Sequence, residues 1–540
     1  MGTATLEAPI SRPAARPAIE RTGLLARLQY PILGILLLAF FVVGWQGREP
    51  SMRAAGEDEF VYLALSKSMA TGSYREIFRP TAPLHVQYPP VYPAWLAISR
   101  QVAGENLDAF RVANLIMAAG ALLLMFSVMR RFAGPGLGLA LVLLLVLNRD
   151  LLRMSGAIVS ENLFLLLTTA ALAWTVSAEA SGKTSPAPAI LLALLSFLTR
   201  SIGLATVLGV GYWLWSSRRW RPLAAWAVAS VLVVGAWFSY TSIAANSGVR
   251  SYTSDFAAVS ASTGGTLRHF AARIWDHGVE YATSGMPYAL SLPTVAGTRL
   301  DNWVWLLLNG VLLTTGWVIL WRRWRAAAVF LPVYIGLVLV WPYMDGRLLV
   351  PLIPLGIMAL LLGAQRVARL LPLRGRTVAL GLVVALLTVG AGQGALKRLV
   401  GYRACDRANP FASHGCYSEE TLALAAAASW LRQHSDPADI VLSQYPASMN
   451  YLSGHRTESL GLATLPTRNA RDTLRARNIR FVVVTVPWTA QTLLSSCTGL
   501  RLEADYSPFA LVLSTAELGD SADACSTLQT LAHSRRLLPE

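Results

Sequence analysis

The chain has 540 residues, of which 54% are hydrophobic and only 14% are charged. Soluble globular domains carry about 25% charged residues, so this composition excludes an ordinary water-soluble protein, and its high hydrophobicity excludes a disordered chain. The 4 cysteines are too few for a disulfide-dense secreted scaffold. A polytopic membrane protein remains, and its net charge of 46 − 30 = +16 must be judged by where the basic residues lie.

Apolar runs along the chain predict the membrane-spanning helices. A helix needs roughly 20 mostly apolar residues to cross about 30 Å of hydrocarbon. About eleven candidate runs lie at 29–45, 112–129, 135–148, 161–178, 187–199, 202–216, 223–242, 302–321, 326–342, 347–364 and 378–395. The first run follows a basic tail, residues 1–28, and no small-residue cleavage site follows it, so we expect an uncleaved span.

Basic residues fall in alternate short loops, and this pattern predicts the orientation. They occur in the N-terminal tail, at 130–131, at Lys183, and at 218–221, 322–325 and 366–376. Because Lys and Arg concentrate on the cytoplasmic side, we expect the N-terminus in the cytoplasm and the C-terminus in the periplasm or outside the cell. The predicted location is the bacterial inner membrane. These clusters then contact membrane lipids, so no nucleic-acid partner is predicted.

Three large segments are left on the outer side: the loops 46–111 and 243–301 and the C-terminal region 396–540. The first loop begins with an acidic cluster that contains Asp58 and Glu59, directly after the first span. A carboxylate that faces a cavity at the end of a span can have its basicity tuned by its neighbours. The alternative is that these acids only favour the N-terminus of the helix that follows them.

More polar residues gather at the predicted outer ends of the spans. They are Arg149, Asp150, Glu161, Arg200, Asp345 and Arg347. Interfacial anchoring, helix capping and snorkelling explain any single one of them. Their coincidence on one side, together with the acidic cluster, favours a cavity in which a hydroxyl is deprotonated while an anionic leaving group is held.

The C-terminal region has a different composition and predicts a small soluble α/β domain, residues 396–540. DIVLSQ and IRFVVVTV read as buried strands. Ser418 is predicted to cap the helix that follows it, and a second helix is predicted over Arg468 to Arg477.

All four cysteines, Cys405, Cys416, Cys497 and Cys525, lie in this region. An even number on the outer side predicts two disulfides, most simply Cys405 to Cys416 and Cys497 to Cys525, although three pairings fit. The alternative is a metal site that uses His414 beside Cys416. The sequence lacks the CxxC and HxxxH spacings of structural zinc sites, so we favour the disulfides.

The membrane half, residues 29–395, resembles the GT-C glycosyltransferases that use polyprenyl-phosphate sugars. The similarity is greatest to the group of protein mannosyltransferases, aminoarabinose transferases and RgtA-like galacturonosyltransferases. It rests on the pair Asp58 and Glu59 with Tyr62, the YPPVYP stretch from Tyr88 to Pro93, SENLFLLL, TRSIGL, and DGRLLVPLIPL from Asp345. The chain has YPP where many relatives have HPP, and Glu161 where Asp is frequent.

The resemblance implies the roles of individual residues. Asp58 would be the catalytic base, with Glu59 as its neighbour or substitute. Glu161, with Asp150 nearby, would supply the second acidic position for a metal or the acceptor. Arg200 and Arg347 would bind the donor phosphate. Tyr62, Tyr88, Tyr92 and Asp345 would line the cavity for acceptor and lipid.

The resemblance implies an inverting glycosyltransferase that moves a sugar from a polyprenyl-phosphate donor to lipid A, another envelope glycan or a protein. No cofactor is required by the sequence, and a Mg²⁺ or Mn²⁺ ion between Asp58, Glu161 and the phosphate stays open. A transporter or lipid flippase is the main alternative, but such proteins usually show repeated halves, and no internal repeat stands out here. A membrane-anchored assembly protein would need only one span.

Overall fold

A computed structural model of the chain describes residues 24–48, 50–51, 56–182, 184–245, 267–290, 292, 299–401, 405, 416–459, 474, 476–485, 500–515, 526–527 and 529. The first helices are α1 (Leu24–Gln46), α2 (Asp58–Ala70), α3 (Val91–Ala103), α4 (Leu107–Ala133), α5 (Pro135–Val146), α6 (Arg149–Ser155), α7 (Glu161–Ser181), α8 (Ala187–Thr199), α9 (Leu204–Ser216) and α10 (Trp220–Ala245). They are followed by α11 (Leu267–Glu280), α12 (Met286–Ala289), α13 (Arg299–Arg323), α14 (Arg325–Val340), α15 (Ile353–Ala368), α16 (Leu373–Gly401), α17 (Glu419–His434) and α18 (Pro446–Ser453). The strands are β1 (Ile440–Ser443), β2 (Thr457–Ser459), β3 (Ile479–Val484), β4 (Arg501–Tyr506) and β5 (Ala510–Ser514).

The apolar helices make the chain a multi-pass membrane protein. Within the described ranges, six helical segments are long and apolar enough to span a membrane: those in α1, α4, α7, α10 and α16, and the continuous segment Gly346–Ala368 that ends in α15. The pair α5 and α6, bent by 65°, is a seventh if it forms one broken span. Each apolar run in the sequence coincides with a helical segment, but eleven crossings remain a prediction.

The segment Gly346–Ala368 lies at the centre of the membrane helices. In its 18-residue apolar stretch, 94% of the residues are buried. Helix α13 approaches α15 so closely that a Cβ at Gly316 would collide with the carbonyl oxygen of Ala359. A Cβ at Gly363 would likewise collide with the carbonyl of Leu312. Small residues allow such close backbone contact between membrane helices, so glycine defines this crossing.

Helices α1, α10 and α16 lie at the periphery. In their 18-residue apolar stretches, only 22%, 6% and 17% of the residues, respectively, are buried. On α10, for example, Val231 is 73% and Leu232 is 64% exposed. A water-soluble monomer rarely exposes apolar patches of this extent. The outer faces of these helices are therefore suited to contact with lipid.

The described C-terminal residues form a five-stranded mixed sheet in the order β2-β1-β3-β5-β4. Strand β1 is parallel to β2 and β3, while β5 is antiparallel to β3 and β4. DIVLSQ and IRFVVVTV coincide with β1 and β3. Helix α17 begins directly after Ser418, as predicted, but the Ser418 side chain does not cap it: its hydroxyl lies 3.2 Å from the Thr421 hydroxyl and accepts no backbone N–H. That this α/β unit is soluble and lies outside the membrane remains a prediction.

Two further predictions fall in or beside this region. Cys405 and Cys416 form a disulfide. Cys497 and Cys525 lie outside the described residues, as does His414. Most of the helix predicted over Arg468 to Arg477 also lies outside them.

Candidate active site

A cavity of about 320 Å³ lies where α2, the loop before α3, the break between α8 and α9, and the loop before α15 meet. Six of the residues predicted from the sequence line it: Asp58, Tyr62, Tyr88, Arg200, Asp345 and Arg347. Gln87, Pro89, Thr199, Ser201, Ile202, Trp341, Tyr343 and Leu348 complete its wall. The cavity therefore contains two carboxylates, two guanidinium groups and several aromatic rings.

Interruptions between helices place the charged side chains at the cavity. Arg200 lies in extended backbone between α8 and the short 3-10 turn Ser201–Gly203. Asp345 likewise precedes a second 3-10 turn, Gly346–Leu352, which carries Arg347. Irregular backbone at membrane depth is tolerated where it is buried in protein or lines a cavity. The breaks between apolar runs therefore supply the polar part of the site.

Asp58, the first residue of α2, is held by two donors. Its Oδ1 accepts a 2.6 Å hydrogen bond from the Tyr88 hydroxyl, and its Oδ2 lies 2.9 Å from Nη1 of Arg347. The Asp58 side chain is nevertheless 26% exposed. This carboxylate is thus fixed in direction while it remains open to the cavity.

Arg347 is held by a second carboxylate. Its Nε lies 2.8 Å from Oδ2 of Asp345, whose Oδ1 accepts the backbone N–H of Arg347 at 2.8 Å. Burial raises the pKa of Asp345, but the charge and hydrogen bonds of Arg347 outweigh this and hold that pKa below its usual value. Asp345 is therefore ionised and orients the planar fork of Arg347 toward Asp58.

Arg200 has a different carboxylate partner. Its Nη1 lies 2.7 Å from Oε1 of Glu161 and donates a 3.0 Å hydrogen bond to the hydroxyl of Ser160. The Ser160 hydroxyl also lies 2.9 Å from that of Tyr62. The Glu161 side chain is only 2% exposed and does not line the cavity. Glu161 therefore reaches the cavity only through Arg200.

Three other predicted residues are also absent from the cavity wall. Glu59 is fully buried, and its Oε1 accepts the backbone N–H of Ile158 at 2.8 Å. The hydroxyl of Tyr92 accepts a 3.0 Å hydrogen bond from Asn114. Asp150 lies in the first turn of α6. These contacts fix the framework around the site, and the catalytic or acceptor roles of these residues stay predictions.

Sequence reasoning did not single out four residues that now belong to the site. Ser160 has a local signal, because a serine directly before an acidic residue and an apolar run often begins a helix. Trp341 and Tyr343 lie just before Asp345, so proximity to that motif could have indicated them. Gln87 directly precedes the YPPVYP stretch, so the same argument applies to it.

The described residues contain no group of three or more His, Cys, Asp or Glu side chains that could hold a metal ion. Asp58 and Glu161 each contact an arginine, Arg347 and Arg200 respectively. Metal sites instead gather several oxygen or nitrogen ligands around one point. In the part of the chain that the structure describes, these two carboxylates are thus directed at guanidinium groups and do not converge on a shared cation position.

The similarity of this chain to known proteins is found by comparing structures and not by comparing sequences. No protein-family model matches it, and a sequence search finds no match among curated proteins. The crystal structure of ArnT from Cupriavidus metallidurans bound to undecaprenyl phosphate matches 92% of this chain and 99% of its own, with 15% identity and a TM-score of 0.53.

Archaeal oligosaccharyltransferases from Archaeoglobus fulgidus match as well. AglB in complex with an inhibitory peptide and a dolichol-phosphate matches over 94% of this chain and 78% of its own, with 9% identity and a TM-score of 0.55. The crystal structure of an oligosaccharyltransferase complex with Zn and sulfate covers 90% of this chain and 73% of its own, with 11% identity and a TM-score of 0.53.

ArnT and AglB are members of the GT-C superfamily, and the matches include about 90% of this chain. The structural similarity shows that the folds are alike. Because the identities are only 9% to 15%, the reaction has to be argued from the site. The resemblance inferred from the sequence is thus confirmed at the level of architecture. The chain is a multi-pass membrane protein with the GT-C fold.

Proposed function

We propose that the chain is an inverting glycosyltransferase that moves a hexosyl or pentosyl group from a polyprenyl-phosphate donor to a cell-envelope acceptor. The observation that carries the proposal is the Asp58 carboxylate, which is held by Tyr88 and Arg347 and opens into a cavity shared with Arg200. Two structures of the same fold contain undecaprenyl phosphate and dolichol-phosphate, respectively. These ligands support a lipid-phosphate donor here.

The donor phosphate is assigned to Arg200 and Arg347. Both side chains line the cavity and are about one-fifth exposed. A guanidinium group has five N–H donors in a planar fork, so Arg347 can keep its carboxylate partners while it also contacts phosphate oxygens. These contacts would stabilise the charge that develops on the phosphate as it leaves.

Asp58 is assigned as the general base. The acceptor hydroxyl gives its proton to Asp58, and its oxygen forms a bond to the anomeric carbon from the face opposite the phosphate. The bond between the anomeric carbon and the phosphate oxygen breaks, and the lipid phosphate leaves with the electron pair. The configuration inverts through an oxocarbenium-like transition state.

The remaining polar residues would shape and support this site. Glu59 is the neighbour of the base, and Glu161 is the second acidic position, with Asp150 further from the cavity. Tyr62, Tyr88, Tyr92 and Asp345 would form or brace the surface that receives acceptor and lipid. The proposed acceptors are lipid A, another envelope glycan or a protein, and the reaction would take place on the periplasmic side of the inner membrane.

The test is sugar transfer from a panel of radiolabelled polyprenyl-phosphate sugars to endogenous envelope acceptors. The membranes come from a deletion strain complemented with wild type, Asp58→Asn, or the matched control Asp505→Asn, which changes an exposed aspartate of β4. Product with wild type and the control, but not with Asp58→Asn, supports the proposal. No product with any donor from correctly inserted protein overturns it, and substrate-dependent flux without a covalent product indicates a transporter or flippase.

A further inference from the structure

Tyr88, which contacts the Asp58 carboxylate, is itself held on both sides of its backbone. Its N–H donates a 2.8 Å hydrogen bond to Nε2 of His85. Its carbonyl oxygen accepts a 2.7 Å hydrogen bond from the hydroxyl of Tyr74. The position of the Tyr88 hydroxyl therefore depends on side chains that do not line the cavity.

The bonds around His85 define its tautomer. Because Nε2 accepts the Tyr88 N–H, it carries no proton, and Nδ1 must donate its hydrogen to Oε1 of Glu76 at 2.9 Å. The ring is 1% exposed and packs 5.5 Å from the ring of Tyr74 and 5.2 Å from that of Tyr88. The other neutral tautomer, with its hydrogen on Nε2, would direct an N–H at the Tyr88 N–H.

The chain of contacts continues into the C-terminal sheet. Oε2 of Glu76 lies 3.3 Å from Nη1 of Arg79, and Nη2 of Arg79 pairs with Glu458 on β2. The backbone of the same loop also joins β2, since the Thr457 N–H donates to the carbonyl of Phe78 at 2.8 Å. The sheet thus braces the loop that presents Tyr88.

We propose that His85 is a positioning residue for the proposed transferase, with Glu76 fixing its tautomer. His85 holds the backbone of Tyr88 so that the Tyr88 hydroxyl orients the carboxylate of Asp58. This inference rests on the proposed function, because it requires Asp58 to be the base. Reacting groups that are misplaced by about 1 Å can lose on the order of 10²-fold in rate, so such bracing is a direct determinant of turnover.

Two amide substitutions test the hydrogen bonds of the two His85 nitrogens separately. The shorter side chain of His85→Asn places its amide near the position of Nδ1, and the longer one of His85→Gln reaches that of Nε2. His85→Gln can still accept the Tyr88 N–H and should keep kcat within about threefold, whereas His85→Asn should lose about tenfold in kcat. The KM for the donor should change by less than about twofold in both, because neither variant alters the arginines.

A double-mutant cycle with Tyr88→Phe tests whether His85 acts through the Tyr88 hydroxyl. In the Tyr88→Phe background, His85→Asn should cause no further loss of kcat. Additive losses, equal losses in the Asn and Gln variants, or a change confined to KM would overturn the proposal. Glu76→Gln, which retains an oxygen for Nδ1–H, should behave like His85→Gln and gives a second test if His85→Asn does not fold.

The same double-mutant cycle is also measured with stability as the readout, from the apparent melting temperatures of the purified full-length proteins in detergent. If wild type transfers no sugar, the proposed function fails and the positioning role in a transferase fails with it, and this readout then tests only whether His85 and Tyr88 are physically coupled. Destabilisation by His85→Asn that is smaller in the Tyr88→Phe background indicates that the two groups are physically coupled. Equal destabilisation in both backgrounds shows that His85 does not act through the Tyr88 hydroxyl.

Discussion

The two carboxylate–arginine pairs at the cavity are alike in contact and different in exposure. Asp58 lies 2.9 Å from Arg347, and Glu161 lies 2.7 Å from Arg200. The Asp58 side chain is 26% exposed, while that of Glu161 is 2% exposed. Both arginines reach the cavity, but only the first carboxylate does.

This difference separates a group that can react from a group that can only support. An acceptor hydroxyl can approach Asp58 directly, which proton transfer requires. Glu161 is shielded behind Arg200, where its charge balances a guanidinium that would otherwise be costly to bury. Two pairs that look equivalent in the sequence are therefore expected to respond differently to substitution.

The largest effect is expected from Asp58→Asn. The amide keeps the size of the side chain and can still accept the Tyr88 hydroxyl, but it cannot take up the proton of the acceptor. Sugar transfer should fall by about 10²- to 10⁴-fold, the usual contribution of a general base. Single-turnover transfer with the preferred polyprenyl-phosphate sugar measures this loss.

The corresponding control for the first pair is Asp505→Asn, on an exposed edge of the C-terminal sheet, which should transfer at the wild-type rate. Insertion and the apparent melting temperature of Asp58→Asn should remain close to those of wild type, so that the loss reflects chemistry. Transfer by Asp58→Asn within about twofold of wild type would remove Asp58 as the base.

Glu161→Gln should act on stability and donor binding more than on the chemical step. The substitution leaves Arg200 with a neutral partner in a mostly buried position, and breaking fully buried pairs costs about 3–5 kcal/mol. Because Arg200 is one-fifth exposed, we expect less, about 1–3 kcal/mol, with a several-fold rise in the KM for the donor. Thermal unfolding and steady-state kinetics report the two effects.

A matching loss of kcat in Glu161→Gln and Asp58→Asn, at unchanged stability, would contradict this comparison. It would place Glu161 in the chemistry despite its burial. Glu105→Gln is the control for the substitution itself, since its side chain is 62% exposed at the C-terminal end of the first loop.

Arg347→Lys sharpens the role of the first pair. A lysine keeps the charge but cannot hold Asp58 and Asp345 with a planar fork. We expect kcat/KM measured for the donor to fall about tenfold, with a smaller change in the KM for the acceptor. Arg366→Lys, an exposed substitution near the other end of α15, should leave both unchanged. Equal losses for donor and acceptor would contradict a specific contact with the donor phosphate.

Much of the membrane architecture could be predicted because burial in lipid leaves a compositional signal. The apolar runs locate the helices, and the breaks between them locate Arg200 and Asp345. The 65° bend between α5 and α6 depends on packing that no local pattern expresses. Strands β4 and β5 were not predicted, and β4 is half exposed without a clear apolar alternation.

The candidate site was only partly accessible from the sequence. Its charged members could be named because charge is rare at the ends of membrane spans. Their exposure could not, since Glu161 and Arg200 differ in burial only once α7 and α8 pack. The pairing of Arg79 with Glu458 joins residues 379 positions apart, which no local pattern predicts.

Glu57 extends the comparison to a carboxyl group that directly precedes Asp58 but does not line the cavity. Its Oε1 accepts the backbone N–H of Ala447 at 2.5 Å, at the start of α18. Burial, with smaller contributions from the charges of Asp58 and Glu76, raises the pKa of Glu57 from 4.5 to about 8, against the opposing backbone hydrogen bonds. The folded protein therefore binds a proton between pH 4.5 and 8 that the unfolded chain releases.

Because the folded-state pKa is the higher one, this stabilisation is complete below pH 4.5 and is lost as the pH rises through about 8. Glu57 should lower the free energy of unfolding by up to about 1.4 kcal/mol per pH unit within that window. Glu57→Gln stays neutral and should flatten this part of the melting-temperature profile of the purified protein, with transfer at pH 6 nearly unchanged. The exposed Glu420→Gln, at the start of α17, should retain the wild-type slope. An unchanged slope in Glu57→Gln would show that the carboxyl group beside the base titrates with its ordinary pKa.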